Sequence, residues 1–289
     1  MMMNPRRSAL FMPAHNERAI SKARTLDCDV VILDLEDSVA PDSKKTARET
    51  AKASVTEGGF DLREIAVRVN GIGRDWHTDD IQEFVDAPLD AIVVPKAELP
   101  ADVGRLGEQM DTLGYDPDIE LWLMAETPGG VFNARELCQA HPRVGALLLG
   151  TSDLAKCLRV PATIGRDGLL YALSHCVLAA REANIDVLDG VCLDLANPEV
   201  YQVQCEHGRE LGFDGKTLIH PSQIAIANKV FTPSDDDIGR AKKIRAAWDD
   251  ARRRGDGLCL LNGQLIEKLH AEEASRILSL HEAIQERLV

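Results

Sequence analysis

Eight short runs rich in valine, isoleucine and leucine recur along the chain, each followed by a longer polar stretch of helical character. They cover residues 8–12, 29–35, 65–69, 91–94, 119–125, 144–149, 187–193 and 216–219. Several lack clean alternation of apolar and polar residues, which suits parallel strands covered on both faces. The stretches between them carry helix punctuation. Asp42 opens one with Ala47, Ala51 and Val55 on a single face. Thr127-Pro128 and Asn197-Pro198 read as N-caps followed by proline at the first helical position, and Leu211-Gly212 reads as a stop. Residues 168–184 place Leu169, Leu173, Val177 and Ala180 at helical spacing. Eight βα units predict a (β/α)8 TIM barrel. An open doubly wound sheet competes, but no GxGxxG or GxxxxGK[ST] follows any strand.

After the eighth run the rhythm changes. Ser234 opens a charged helix to about Arg254, followed by Gly255-Asp256-Gly257, an apolar piece at 258–261, the turn Asn262-Gly263 and a last helix from about Ala271. The expected division is a barrel catalytic domain at 1–232 and a C-terminal helical extension at 233–289, either a packed appendage or a lid over its own or a neighbouring subunit.

The formal net charge of −14 argues against nucleic acid and anionic membranes as partners, both of which need a basic surface. It leaves small anionic substrates open. No apolar run approaches the ~18 residues that span a bilayer, and the apolar piece at 9–12 is too short for a signal peptide. The seven cysteines form no CxxC pair; they read as small buried hydrophobes of a cytoplasmic protein.

In such a barrel, polar residues at the C-terminal ends of strands carry the chemistry. Those ends offer His15 and Asn16; Asp34, Glu36 and Asp37; Arg68 and Asn70; Lys96 and Glu98; Glu126; Ser152 and Asp153; Asp189 and Asp194; and His220. A ring of carboxylates repels itself unless a cation sits within it. An all-oxygen set with few histidines suits Mg²⁺, with Mn²⁺ as the alternative, rather than Zn²⁺. Glu126 and Asp153, from neighbouring strands, are the expected ligands, with Asp34, Glu36 and Asp37 binding outer waters. Arg68 sits in the apolar strand Ala66-Val67-Arg68-Val69-Asn70 and needs an anion. That anion is either Glu36 or Asp37 in a structural pair, or a substrate oxyanion or carboxylate. His220, before Pro221, reads as a backbone-bonding residue or a site residue. There is no GxSxG and no cysteine in a polar loop to act as nucleophile.

Seven segments in order, 8–13 (SALFMP), 31–41 (VILDLEDSVAP), 68–70 (RVN), 94–96 (VPK), 124–127 (MAET), 149–154 (LGTSDL) and 216–221 (KTLIHP), resemble the citrate lyase β-subunit-like branch of the HpcH/HpaI aldolase superfamily. The resemblance runs from about residue 7 to the C-terminus. It implies a homotrimeric or hexameric (β/α)8 barrel with Mg²⁺ on Glu126 and Asp153, a substrate-binding Arg68, and Phe11 and Lys22 on the coenzyme A portion. Family activities include cleavage or synthesis of malyl-CoA, citramalyl-CoA and related β-hydroxyacyl thioesters, and in some members thioester hydrolysis. The chain departs from the family pattern at Ala14, where glycine is common, at Asn16, near which arginine is common, and at Gly129, where many members carry arginine. In the C-terminal segment the lyases present an aspartate as acid/base; Glu267 holds the matching position. The expected activity is a Mg²⁺-dependent carbon–carbon lyase on a β-hydroxyacyl-CoA, giving a small 2-keto acid and a short acyl-CoA. Arg68 would steady the oxyanion and Glu267 would exchange the proton, with Glu36 and Asp37 also on the substrate side. Thioester hydrolysis, aldol cleavage of free hydroxy-keto acids, and a subunit that works only with an acyl-carrier partner are the alternatives.

Overall fold

Parallel pairing closes the eight apolar runs on themselves. Strands β1 (Ser8–Pro13), β2 (Val30–Asp34), β3 (Glu64–Arg68), β4 (Ala91–Val94), β5 (Glu120–Ala125), β6 (Val144–Leu149), β7 (Asp186–Asp189) and β8 (Gly215–Leu218) pair in sequence order, and β8 returns to β1 through Ser8↔Lys216. The computed structural model describes residues 4–161 and 163–287. The barrel unit is Arg6–Phe231; the residues on either side of it form a second unit.

Alternation persists although both strand faces are apolar. Val30 and Ile32 join Ala9, Ala66, Ala91, Val93, Trp122, Met124, Ala146 and Leu188 in the barrel interior, whereas Val31 and Leu33 pack with the surrounding helices. The interior alanines make room for Trp122 and Met124. Around the strands run α1 (Glu17–Ala23), α2 (Lys44–Glu57), α3 (His77–Glu83), α4 (Pro100–Leu113), α5 (Pro128–Phe132), α6 (Ala134–Cys138), α7 (Thr151–Leu158), α8 (Leu170–Ala183), α9 (Pro198–Leu211) and α10 (Ile224–Phe231). The buried faces of α2 (Ala47, Ala51, Val55) and α8 (Leu173, Val177, Ala180) are those the spacing predicts. Thr127 caps α5 by accepting the Gly130 N–H at 3.1 Å, and Gly212 ends α9 at φ 99°.

At the N-terminal mouth Arg6 gathers the starts of alternate strands. Its guanidinium bonds Glu64 of β3, Glu120 of β5 and Asp186 of β7 at 2.8–2.9 Å and lies 4.6 Å over the Trp122 ring. Glu120 reaches it across Gly145, where a Cβ would stand 2.2 Å from the carboxylate.

The seventh strand ends at Asp189 rather than at residue 193. The carbonyls of Asp189 and Gly190 are taken by the Thr217 hydroxyl and the Lys216 ammonium, so side chains of β8 replace the ladder there. Asp189 itself corrects the expectation of a rim acid. It is fully buried and turned toward the helices, against Gly208 of α9, with its carboxylate 2.7 Å from both Arg166 Nη1 and Lys216 Nζ. Removing one member of such a triad leaves buried charge unpaired, which costs about 3–5 kcal/mol. Asp189→Ala is therefore expected to lose that much in urea denaturation; a loss below about 1 kcal/mol would show that the two cations find other partners. Asp194 is exposed and caps the approach to α9 through the Ala196 and Asn197 N–H groups, not the barrel mouth.

The second unit contains α11 (Asp235–Arg254), a hairpin of β9 (Cys259–Leu261) and β10 (Gln264–Ile266), and α12 (Lys268–Glu286). Ser234 caps α11, whose first turn is acidic and last turn basic, matching the helix dipole. Asn262 (φ 52°) and Gly263 (φ 77°) form the tight hairpin turn. Helix α12 starts at Lys268, three residues before the expected Ala271, because Glu267 acts as its N-cap and donates its own N–H to His270 Nδ1 at 3.1 Å. Ala241, Ile244, Ile266 and Ala274 make this unit's small core. Among the described residues no helix is long and apolar enough to cross a membrane. All seven cysteines are free. Five are buried, but Cys157 is exposed and Cys259 half-buried, so the expectation of uniform burial fails at those two.

Candidate active site at the C-terminal mouth of the barrel

Strand parity decides which strand-end groups enter the mouth. Ile32, Ala66 and Met124 face the interior, so Asp34, Arg68 and Glu126, two residues further along, face it too. They line a cavity of about 440 Å³ with Phe11, Asp37, Met124, Asp153, Val191, Thr217 and Ile219 among its walls.

Arg68 and Asp34 are cross-strand neighbours in the β2–β3 register. The guanidinium meets the Asp34 carboxylate through two parallel bonds of 2.7 Å, Nε to Oδ1 and Nη2 to Oδ2. Asp34 also accepts the Glu36 and Ser38 N–H groups at 2.9 and 3.1 Å. Against the upward push of burial, the Arg68 bonds hold its carboxyl below the usual carboxylate range. The expected partners of Arg68 were Glu36 or Asp37. Asp34 takes the two-bond fork, and Glu36, as expected, pairs with the remaining Nη1, its Oε2 at 3.2 Å. Phe11 lies under the guanidinium at 4.8 Å and fixes its plane. Asp34 thus anchors Arg68. The shared parity and adjacent register of the two residues were the signal for that pairing.

Glu126 is buried, and its Oε1 accepts the Lys96 backbone N–H at 2.7 Å. Burial pushes its carboxyl up to about 7, with the Lys96 charge partly opposing and Glu36 reinforcing. Gly150 gives it room: a Cβ there would stand 2.2 Å from the Glu126 Cβ. Asp153 is half-buried in the first turn of α7, on the strand end next to Glu126, and faces the same cavity. Glu36 bonds the Lys96 ammonium, and burial pushes its carboxyl upward. Asp37 is exposed, 3.8 Å from Lys96 Nζ.

A second groove of about 720 Å³ adjoins this cavity, with Glu36, Asp37, Lys96, Glu98 and Trp76 in its walls. Asn70, expected at the rim, is buried and committed to Asp80 and Lys44. His220 is exposed, with Nδ1 on the Ser222 hydroxyl at 2.8 Å. Lys22 is exposed on the last turn of α1 and lines neither cavity. Glu267 is exposed and belongs to the other unit.

The donors of the mouth fit Mg²⁺. Glu126 and Asp153 supply only oxygen, and a cation would offset the burial of Glu126. Among the described residues no group of three or more His, Cys, Asp or Glu is poised around one point. A zinc centre needs such a set, whereas Mg²⁺ takes one or two carboxylates and keeps waters or substrate oxygens.

Residues 7–221 match the HpcH/HpaI aldolase/citrate lyase family. The chain belongs to this family. It is 40% identical over 281 residues, 97% of its own length and 96% of the relative's, to a (3S)-malyl-CoA thioesterase of Cereibacter sphaeroides. It is 31% identical, over 97% of its length and 96% of the relative's, to an L-malyl-CoA/β-methylmalyl-CoA lyase of the same species. A crystal structure of the protein CitE from Mycobacterium tuberculosis, in complex with magnesium, acetoacetate and coenzyme A, superposes with a TM-score of 0.75 at 28% identity, covering 95% of this chain and 97% of that one. The (β/α)8 barrel and the citrate lyase-type resemblance read from the seven segments are thereby shown. Relatives in this family are enzymes, both lyases and thioesterases, and solved relatives hold magnesium.

Proposed function

We propose that this protein is a Mg²⁺-dependent enzyme acting on a β-hydroxyacyl-CoA of the malyl-CoA type, and that its principal outcome is hydrolysis of the thioester. The observation that carries the choice of outcome is the 40% identity to malyl-CoA thioesterases along the whole chain, against 31% to the malyl-CoA lyase. Carbon–carbon cleavage on the same site is the second reading, supported by that lyase relative and by the carboxylate at Glu267.

Glu126 and Asp153 would hold the metal, which when bound supplies a Lewis acid for the carboxylate and hydroxyl oxygens of the acyl part. Arg68, held on the cavity wall by Asp34 and Phe11 with its Nη1 3.2 Å from Glu36 Oε2, would turn that nitrogen from Glu36 to developing oxyanion charge. In hydrolysis, water adds to the thioester carbon, the C–S bond breaks and the thiol leaves with the proton the water gives up. In lyase cleavage the hydroxyl proton leaves, the Cα–Cβ bond breaks, and the enolate of the short acyl-CoA is protonated at carbon. Val191, Ile219 and Met124 give the cavity an apolar wall suited to a thioester chain. Incubation with (3S)-malyl-CoA and Mg²⁺ separates the outcomes. Hydrolysis yields free CoA and malate in equal amounts; lyase action yields glyoxylate and acetyl-CoA without free CoA. Neither product pair would overturn the substrate class.

Glu267 is assigned, in the lyase reading, to exchange the proton at the acyl α-carbon, from the same or a neighbouring subunit of a trimer or hexamer. Glu267→Gln is expected to abolish glyoxylate formation and leave Mg²⁺ affinity unchanged, while Glu267→Asp retains activity. Wild-type behaviour of both variants would remove Glu267 from the site.

Protons compete with the cation for Glu126. Because burial pushes this carboxyl up to about 7, Mg²⁺ affinity is expected to fall roughly tenfold per pH unit below that value. Without the cation the sign reverses for folding. The folded chain holds the proton from the model-compound value of 4.5 to about 7 and so loses stability as pH rises through that window. Titration calorimetry between pH 5.5 and 8 checks the first claim; an affinity independent of pH would contradict it.

A further inference from the structure

Lys96 leaves strand β4 with φ at +50°, in the left-handed region that L-residues other than asparagine and aspartate rarely visit. Its side chain does not require that backbone. The ammonium is engaged elsewhere, on Glu36 Oε1, with Asp37 at 3.8 Å. What the conformation delivers is the angle between two successive peptide planes, so that the Lys96 N–H can donate to Glu126 Oε1 at 2.7 Å while the following N–H also meets β5. The next N–H, of Ala97, continues onto the Met124 carbonyl at 3.3 Å, so two successive main-chain N–H groups strap the end of β4 to the end of β5, one through the Glu126 side chain and one through the Met124 main chain. Two glycines let the strap close. A Cβ at Gly130 would lie 2.5 Å from the Ala97 carbonyl oxygen, and one at Gly150 would lie 2.4 Å from Glu126 Oε2. Glu126 is thereby held from one side by a bond and from the other by contact.

We propose that Lys96 is the positioning residue of Glu126, and that it acts through the main-chain N–H its left-handed backbone presents, not through its ammonium. The inference rests on the assignment of Glu126 as a metal ligand. Groups that orient a metal ligand from behind change affinity by about 10–100-fold when lost. The side chain and the backbone can be separated by substitution. Lys96→Gly and Lys96→Asn keep the left-handed conformation and the N–H but discard the ammonium. Lys96→Val, β-branched, resists that conformation and turns the N–H away; Lys96→Ala does so more mildly.

The test is Mg²⁺ affinity measured by titration calorimetry on the whole chain, with circular dichroism to verify folding. Measured well above pH 7, where Glu126 is ionised with or without the neighbouring ammonium, the glycine and asparagine variants should bind Mg²⁺ as tightly as wild type. The valine variant should bind about tenfold or more weakly; should it fail to fold, the alanine variant must show a weakening of the same sign. Valine or alanine variants that bind like wild type would overturn the proposal, as would a glycine variant weakened as much as valine, which would assign the effect to the ammonium. Glu126→Gln run alongside separates the two levels. If it binds Mg²⁺ normally, the ligand assignment fails and this inference with it. If it loses Mg²⁺ while every Lys96 variant binds normally, only the positioning role fails.

Discussion

Glu126→Gln is expected to abolish Mg²⁺ binding and to lower turnover by ~10³-fold or more, because a Lewis-acid metal supplies several kcal/mol and each ~1.4 kcal/mol is tenfold. The amide keeps the shape of the carboxylate, and its oxygen can still accept the Lys96 N–H. Only the charge is lost. Since burial pushes the Glu126 carboxyl up to about 7, its ionised form is a cost to the fold that the amide removes. The variant should therefore be at least as stable as wild type at pH 8 without metal, while being inactive. Asp153→Asn should be equally inactive, with stability nearly unchanged because that side chain is only half-buried. Calorimetric titration with Mg²⁺ and thermal melts make both checks. Near-wild-type turnover at low Mg²⁺ by either variant would refute the ligand assignment.

Arg68→Lys should cost roughly 100-fold in kcat/KM, the scale of one lost oxyanion donor. Charge is conserved in this change, so a purely electrostatic role would predict little. Geometry is not conserved. Lysine cannot make the two parallel bonds to Asp34 and at the same time place a third nitrogen beside Glu36 on the cavity wall. It also loses the planar contact with Phe11. Asp34 would remain in place, held by the Glu36 and Ser38 N–H groups. Steady-state kinetics with a CoA thioester decides. A loss under about tenfold would make Arg68 the structural counter-ion of Asp34 and nothing more.

The barrel was legible because a strand covered on both faces must be apolar on both, and eight such runs separated by capped helices admit few arrangements. Glu126, Asp153, Arg68 and Asp37 were legible as one group because strand ends converge on one mouth; they do line one cavity, together with Phe11, which only the family resemblance had singled out. Depth was not legible. Asp189 and Glu126 both end apolar strands, yet one faces the helix layer and the other the mouth; only parity counted from Leu188 and Met124 separates them. Of the two acids that pair with Arg68, Glu36 was legible and Asp34 was not, for a related reason. Proximity along the sequence suggested the loop acids, whereas the register sets Asp34 directly beside it. The left-handed backbone of Lys96 left no trace at all, since neither glycine nor asparagine marks the position.

Arg6 joins β3, β5 and β7 across sequence separations of 58, 114 and 180 residues. Contacts that distant exist only once nearly the whole ring has been assembled, so they come late on the folding path and contribute little to its transition state. Interactions of that kind govern how slowly a native chain escapes rather than how fast it arrives. Arg6 and its three acids are therefore expected to slow unfolding more than they speed folding. Substitutions at the opposite mouth can alter chemistry without touching that guanidinium or the three acids it closes.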